Sequence, residues 1–300
     1  MRKYRFADFA AQYQQGFRNN IVALAEVSAL VRRYRAYECF LTYFLYNDEI
    51  FAYMATHARE GHPSIAGYDG KVWAPFLPID IDAADLGEAL AACRIIARTL
   101  VEDWKIPQEA CHLYFSGAKG FHVLLDTRLF GKIVASQHLH LVFSAIRTGL
   151  IHHFPYFDRS LIDLSIKDRV RLLRLPNTVN AKSGLYKMAL SYEELLSASV
   201  EEIRQKAREP TPLAYTDESG LISKADVREH PLLAKMFHRI RRAVRRHTRK
   251  PFAYPLSPRL GEDPANFLCP GLFQIWESHV ESGTRNNCAI RLLSEFRLNG

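Results

Sequence analysis

Two stretches of this chain hold side chains whose type and spacing suit chemistry on phosphate oxygens. In PIDID, Asp80 and Asp82 stand two apart. In a strand such residues share a face, so their carboxylates lie side by side while Ile79 and Ile81 turn into the core. Repulsion of that kind is relieved by a divalent cation, and Mg²⁺ is bound by one or two carboxylates together with substrate phosphates. The plainer alternative is a strand end whose aspartates cap the next helix. In HLYFSGAKGFHVLLD, residues 112–126, Ser116, Lys119 and His122 surround Gly117 and Gly120. The glycines allow a tight turn that presents backbone N–H groups, and the Ser, Lys and His add donors, which is what an anionic triphosphate needs. This is not the P-loop pattern, and an ordinary hairpin with a polar tip is the other reading. Further along, LIDLS sets Asp163 in an extended apolar context, from which it joins the first pair if its strand lies beside PIDID. RLPNTVNAKSG then adds Arg174, Asn180 and Lys182 as donors. Three acids and a group of phosphate-binding donors make a nucleotidyl-transfer site.

The elements that must position these groups are legible in the apolar period. Residues 1 to about 60 read as helices, with apolar positions at mixed three and four spacing. A turn-rich stretch from 61 leads into a short strand at Pro78. In DLGEALAACRIIARTLVEDW, Asp85 is the expected N-cap, and Leu86, Ala89, Leu90, Cys93, Ile96, Ala97 and Leu100 form one apolar face. The glycine-bearing stretch then reads as strand, turn, strand, and HLHLVFSAIRTGLIHHF as a second helix. Strand, helix, hairpin, helix is an α/β (α+β) arrangement with a mixed sheet, rather than a doubly wound parallel one. SYEELLSASVEEIRQKAREP suggests helices ending at Pro210. Residues 211–260 form a basic linker with one helix, HRIRRAVRRHTRK, in which Arg239, Arg242, Arg246 and Arg249 recur at three or four spacing and could face nucleic-acid phosphates.

The chain has 300 residues and 48% hydrophobic content, enough for a proper core. A formal charge of +8 and a pI near 9.2 point to a polyanionic partner. Five cysteines without CxxC spacing are expected to be reduced thiols. No apolar run approaches the length of a membrane span, so no membrane partner is expected and the chain is read as cytoplasmic.

Taken together, the motifs resemble those of the catalytic subunit of the archaeo-eukaryotic primase superfamily, especially the primase-polymerases of mobile elements. PIDID is similar to the family's hDhD strand, SGAKGFHV to its SGxKGxH motif, and LIDLS followed by RLLRLPNTVNAKSGL to the third acidic motif with its basic element. The likeness spans about residues 30–200. It implies an RRM-like sheet joined to a second α/β unit, with the site in the cleft between them and residues 61–210 as the catalytic core. It further implies that Asp80, Asp82 and Asp163 bind two Mg²⁺ or Mn²⁺ ions, while Ser116, Lys119, His122, Arg174 and Lys182, with Gly117, Gly120 and Asn180, hold the nucleotide. Asn180 stands where cellular members often have His. There is no cysteine pair for a zinc knuckle, so no structural zinc is expected.

The resemblance implies a primase that makes primers on a single-stranded DNA template from NTPs or dNTPs, and extends them. A repair polymerase needing a primer, and a non-catalytic DNA-binding subunit, are the alternatives. FLCPGL and ESGTRNNCAIRLLSEF, within residues 261–300, resemble the start of a helical C-terminal primase module. A continuation of that module or a helicase beyond Gly300 is the expected neighbour. Cys269 and Cys288 are read as buried thiols rather than as half of an iron–sulfur site.

Overall fold

The computed structural model describes residues 3–12, 17–59, 61–155, 158–164, 166, 168–217 and 220–249. Contacts gather residues 1–245 into one compact unit; of the second, 246–300, only the end of one helix is described. The tail with Cys269 and Cys288 lies outside the described residues.

The chain begins with β1 (Phe6–Ala11), β2 (Phe17–Ala23), α1 (Leu24–Tyr34), β3 (Cys39–Thr42) and α2 (Glu49–Thr56). A two-stranded ribbon follows, β4 (Ala58–Arg59) with β5 (His62–Pro63), and then β6 (Phe76–Asp82), α3 (Leu86–Arg98), β7 (Cys111–Phe115), β8 (Gly120–Asp126) and α4 (Leu139–Ile151). The last elements are β9 (Leu172–Arg174), β10 (Met188–Leu190), α5 (Tyr192–Ser197), α6 (Val200–Lys206) and α7 (Pro231–Arg249). They build two four-stranded antiparallel sheets, β2-β1-β3-β9 and β10-β7-β8-β6. The expected mixture of strand, helix, hairpin and helix is the order β6, α3, β7, β8, α4.

The helical reading of residues 1–60 is corrected: only α1 and α2 are helical there, and β1, β2 and β3 are strands. In FADFAA, Ala7, Phe9 and Ala11 turn to one core together. Asp8, on the other side, is buried against Arg18 Nε (3.3 Å) and the N–H of Asn20 (2.9 Å). Pairing and burial across the sheet outweigh the helix propensity of alanine.

Side-chain alternation divides the central sheet. Ile79 and Ile81, Leu113 and Phe115, and Phe121 and Val123 bury on the face covered by α3 and α4. Full burial of each such side chain contributes about 1.5–3 kcal/mol. On the opposite face, Phe76, Tyr114 and Leu124 meet Phe9 and Leu41 of the N-terminal sheet. Asp85 caps α3 by accepting from the N–H groups of Gly87 and Glu88, and Cys93 is core, both as expected. Cys39, Cys93 and Cys111 are free, buried thiols. Among the described residues, no helix is long and apolar enough to cross a membrane.

Candidate active site

The register of β6 against β8 sets Asp80 opposite His122 and Asp82 opposite Gly120, and β7 continues the row with Tyr114 opposite His122. Alternation places all of these on the face turned away from α3 and α4. The third acid comes from the loop after α4. Ile162 bridges Ile81, and the Asp163 N–H donates to the Asp80 carbonyl oxygen (2.9 Å). Strand β6 is an edge strand, so its outer side is open to this short pairing. Pro78 has no N–H to offer there, and its carbonyl accepts from Nε of Arg147 (2.8 Å), a fully buried cation on α4 that also donates to the Ile166 carbonyl (2.8 Å).

The glycines of the hairpin turn are demanded by geometry. Gly117 has φ +88°, and a Cβ on Gly120 would collide with the Ile81 carbonyl oxygen and Asp82 Oδ1. Ser116 Oγ accepts from the Gly120 N–H (3.2 Å), and Ser183 Oγ donates to the Gly117 carbonyl, tying this turn to the 180–184 loop. Lys119 is exposed and lies 3.1 Å from Asp82 Oδ2. Arg171 holds Asp163 Oδ2 at 3.0 Å and also lines a cavity of about 680 Å³ with Arg18 and Phe40. None of the three described cavities is lined by the aspartates themselves.

Burial, reinforced by the charges of Asp82 and Asp163, pushes the Asp80 carboxyl up to about 7. His122 Nε2 stands 3.4 Å from Asp80 Oδ1. Burial, with Lys187 and Arg174 nearby, holds that imidazole well below its ordinary value, hence neutral. Lys187 is 1% exposed. Burial lowers its ammonium to about 7. It donates to the Arg174 carbonyl (2.7 Å) and lies over the Tyr114 ring at 4.7 Å.

Among the described residues no three His, Cys, Asp or Glu side chains are drawn together as a ready metal cage. The donor set nevertheless fits a hard cation, which takes oxygen ligands. Asp80 Oδ1 is buried and makes no hydrogen bond, and two further carboxylates repel it.

The residues anticipated from sequence thus divide. Asp80, Asp82, Asp163, Lys119 and His122 meet at one end of one sheet face. Ser116 and Asn180 shape turns; Asn180 Oδ1 accepts from the N–H groups of Lys182 (2.9 Å) and Ser183 (3.3 Å). Arg174 is bound to Glu38 (2.8 Å) and stacked over Phe40, whereas Lys182 is exposed. Arg239, Arg242 and Arg246 are exposed on α7, opposite a face of Leu233, Phe237 and Ile240; the side chain of Arg249 lies outside the described residues. Tyr68 is buried against Tyr46 and Tyr53, and Tyr34 packs on Phe9 and Phe17. Sequence reasoning missed Lys187, Arg171 and Arg147. Only strand parity hinted at Lys187, which shares its side of the chain with Ala189.

No protein-family model matches the sequence, and no curated protein matches it. Among solved structures, the fold is similar to the polymerase domain of Mycobacterium tuberculosis ligase D in complex with DNA, with 11% identity and a TM-score of 0.40 over 80% of this chain and 82% of that one. It is also similar to the primase RepB′, with 10% identity and a TM-score of 0.36 over 82% of this chain and 61% of that one.

Proposed function

We propose that this chain is a metal-dependent nucleotidyltransferase of the archaeo-eukaryotic primase superfamily that synthesises and extends primers on single-stranded DNA. The observation that carries the reading is the hydrogen bond from Asp163 N–H to the Asp80 carbonyl. It brings Asp163, from some eighty residues further along the chain, to the strand that carries Asp80 and Asp82, beside a glycine turn bearing Lys119. Nothing in a pure binding module calls for that repulsion.

Asp80, Asp82 and Asp163 would hold Mg²⁺ or Mn²⁺, which when bound neutralises charge on the attacking and leaving oxygens. Lys119 and Lys182, both exposed, grip the triphosphate as point charges, and Lys119 exchanges its partner Asp82 for phosphate oxygens as the nucleotide enters. Ser116, Gly117, Gly120 and Asn180 keep the turn and loop in shape, Ser116 Oγ and Asn180 Oδ1 accepting from their backbone N–H groups, so that Lys119 and Lys182 are presented from fixed loops. Neutral His122 offers a hydrogen bond without adding charge. Arg174, stacked on Phe40, and Arg171, between Asp163 and the 680 Å³ cavity, set the floor on which the nucleotide lies. Arg239, Arg242, Arg246 and Arg249 on α7 follow template phosphates, a contact that weakens steeply with salt.

The test is synthesis on unprimed single-stranded DNA with a γ-labelled starting nucleotide and Mg²⁺ or Mn²⁺. Labelled oligonucleotides are expected from the unaltered protein and none from Asp82→Ala, whose circular dichroism and melting should be unchanged. Extension only of a supplied primer would make the protein a repair-type polymerase. Substantial synthesis by Asp82→Ala would overturn the assignment.

A further inference from the structure

A second cavity, of about 300 Å³, lies at the edge of the central sheet opposite the one formed by β6. Its wall is β7 beyond the point where β10 stops. Strand β10 covers Leu113 to Phe115 only, so the backbone of Cys111 and His112 has no further strand beside it among the described residues. The segment running from Thr211 to Thr216 lines the other side.

Two polar side chains of this cavity are unsatisfied. His112 Nε2 and Thr211 Oγ1 are buried in residues only 5% and 9% exposed, and neither finds a hydrogen-bond partner among the described residues. Leaving such groups buried and unpaired destabilises the fold, so a ligand that pairs them regains that loss. Thr211 is held on the wall, because the Asn177 side chain accepts from its N–H (2.9 Å) and donates to its carbonyl (2.8 Å). Burial keeps the His112 imidazole near 4, so it is neutral at pH 7 and offers one ring nitrogen as donor and the other as acceptor. Around these two groups stand the rings of Tyr114, Tyr192 and the exposed Tyr215. The rim does not suit an anion. Glu193 and Glu194 face one cation, Lys206, which is already paired to Glu194.

From this arrangement we infer a binding site for an uncharged nucleobase, stacked on tyrosine and hydrogen-bonded along its edge by His112 and Thr211. A ring flip of His112 or a χ1 rotation of Thr211 brings the buried atoms to the ligand. The base can be supplied by a free nucleoside or by an unstacked residue of a nucleic-acid strand; the acidic rim favours the nucleoside. The inference is independent of the proposed nucleotidyl transfer, since it uses none of those residues.

The probes are adenosine, guanosine, cytidine and uridine at millimolar concentration, the corresponding 5′-monophosphates, and a short single-stranded oligonucleotide. The readouts are the ¹⁵N resonances of the His112 ring and the melting temperature. At least one nucleoside should move the His112 resonances saturably and raise the melting point, and its monophosphate should bind more weakly. A response to the oligonucleotide alone assigns the base to a strand. Thr211→Val and His112→Phe should each weaken binding by about 10-fold, the loss of one hydrogen bond. Unliganded Thr211→Val should melt no lower than the parent, because it deletes an unsatisfied hydroxyl, and so it serves even if His112→Phe folds poorly. If no probe shifts the His112 ring, or if binding persists unchanged in Thr211→Val, the site does not exist.

Discussion

The two faces of the central sheet are built from the same strands yet obey different rules. On the face against α3 and α4, Ile79, Ile81, Phe121 and Val123 are completely buried and apolar. On the other, Asp80, His122 and Lys187 are crowded into a space where burial first, and neighbouring charges after it, shift the protonation of all three. Burial and Asp82, rather than any stabilising partner, dominate the environment of Asp80. Both faces bury apolar side chains, Phe76, Tyr114 and Leu124 on the second, but only the second also carries this electrostatic conflict.

That contrast breaks most visibly on the apolar side. Phe121→Ala should cost about 3–5 kcal/mol, read as a lowered urea midpoint with unchanged slope. Titration comes next. His112 lies at the far end of the polar face, and its folded value near 4 is below the ordinary 6.5. The unfolded chain therefore takes up the proton first, and His112 contributes stability in full above about pH 6.5 that drains away as pH falls towards 4. The loss is on the order of 3 kcal/mol, and urea melts between pH 7 and 4 should flatten in His112→Phe. A smaller change is expected from Gly120→Ala. Its methyl must displace β6 at Ile81 and Asp82, for about 1–3 kcal/mol, and because Asp82 moves with it, synthesis should fall by more than stability does. Least of all, Lys187→Met takes the donor from the part-buried Arg174 carbonyl in exchange for an apolar chain of similar volume and should cost about 1 kcal/mol. Primer synthesis by the same variant should drop at least about tenfold; unaltered synthesis would mean that Lys187 only fills space.

Much of this contrast was written in the order of residues. Strand parity put Asp80 and Asp82 together, and the helical period placed Asp85 as the cap of α3 and Ala89, Leu90, Cys93, Ile96 and Ala97 on its buried face, though it missed buried Ala92. Local pattern failed where small residues replaced bulky ones. Ala7 and Ala11 read as helix formers, but they face the core of a sheet that is completed only by the distant strand β9. Lys187, Arg171 and Arg147 were illegible for a related reason. Each derives its character from a carbonyl or carboxylate that only the tertiary fold delivers, such as Arg174, Asp163 or Pro78. Asn180 and Arg174 were legible as polar residues, but not as groups already engaged by their own loop and by Glu38.

The placement of β9 and β10 bears on how the molecule is made. Strand β9 completes the sheet begun by the first residues, and β10, which follows shortly, completes the other. A growing polypeptide on the ribosome therefore carries two unfinished edges at once. Neither can close until residues beyond 170 have emerged, and the two sheets mature almost together. Arrested nascent chains ending before Leu172 should remain sensitive to protease throughout, while those that include Leu190 and clear the exit tunnel should become resistant over both sheets in a single step.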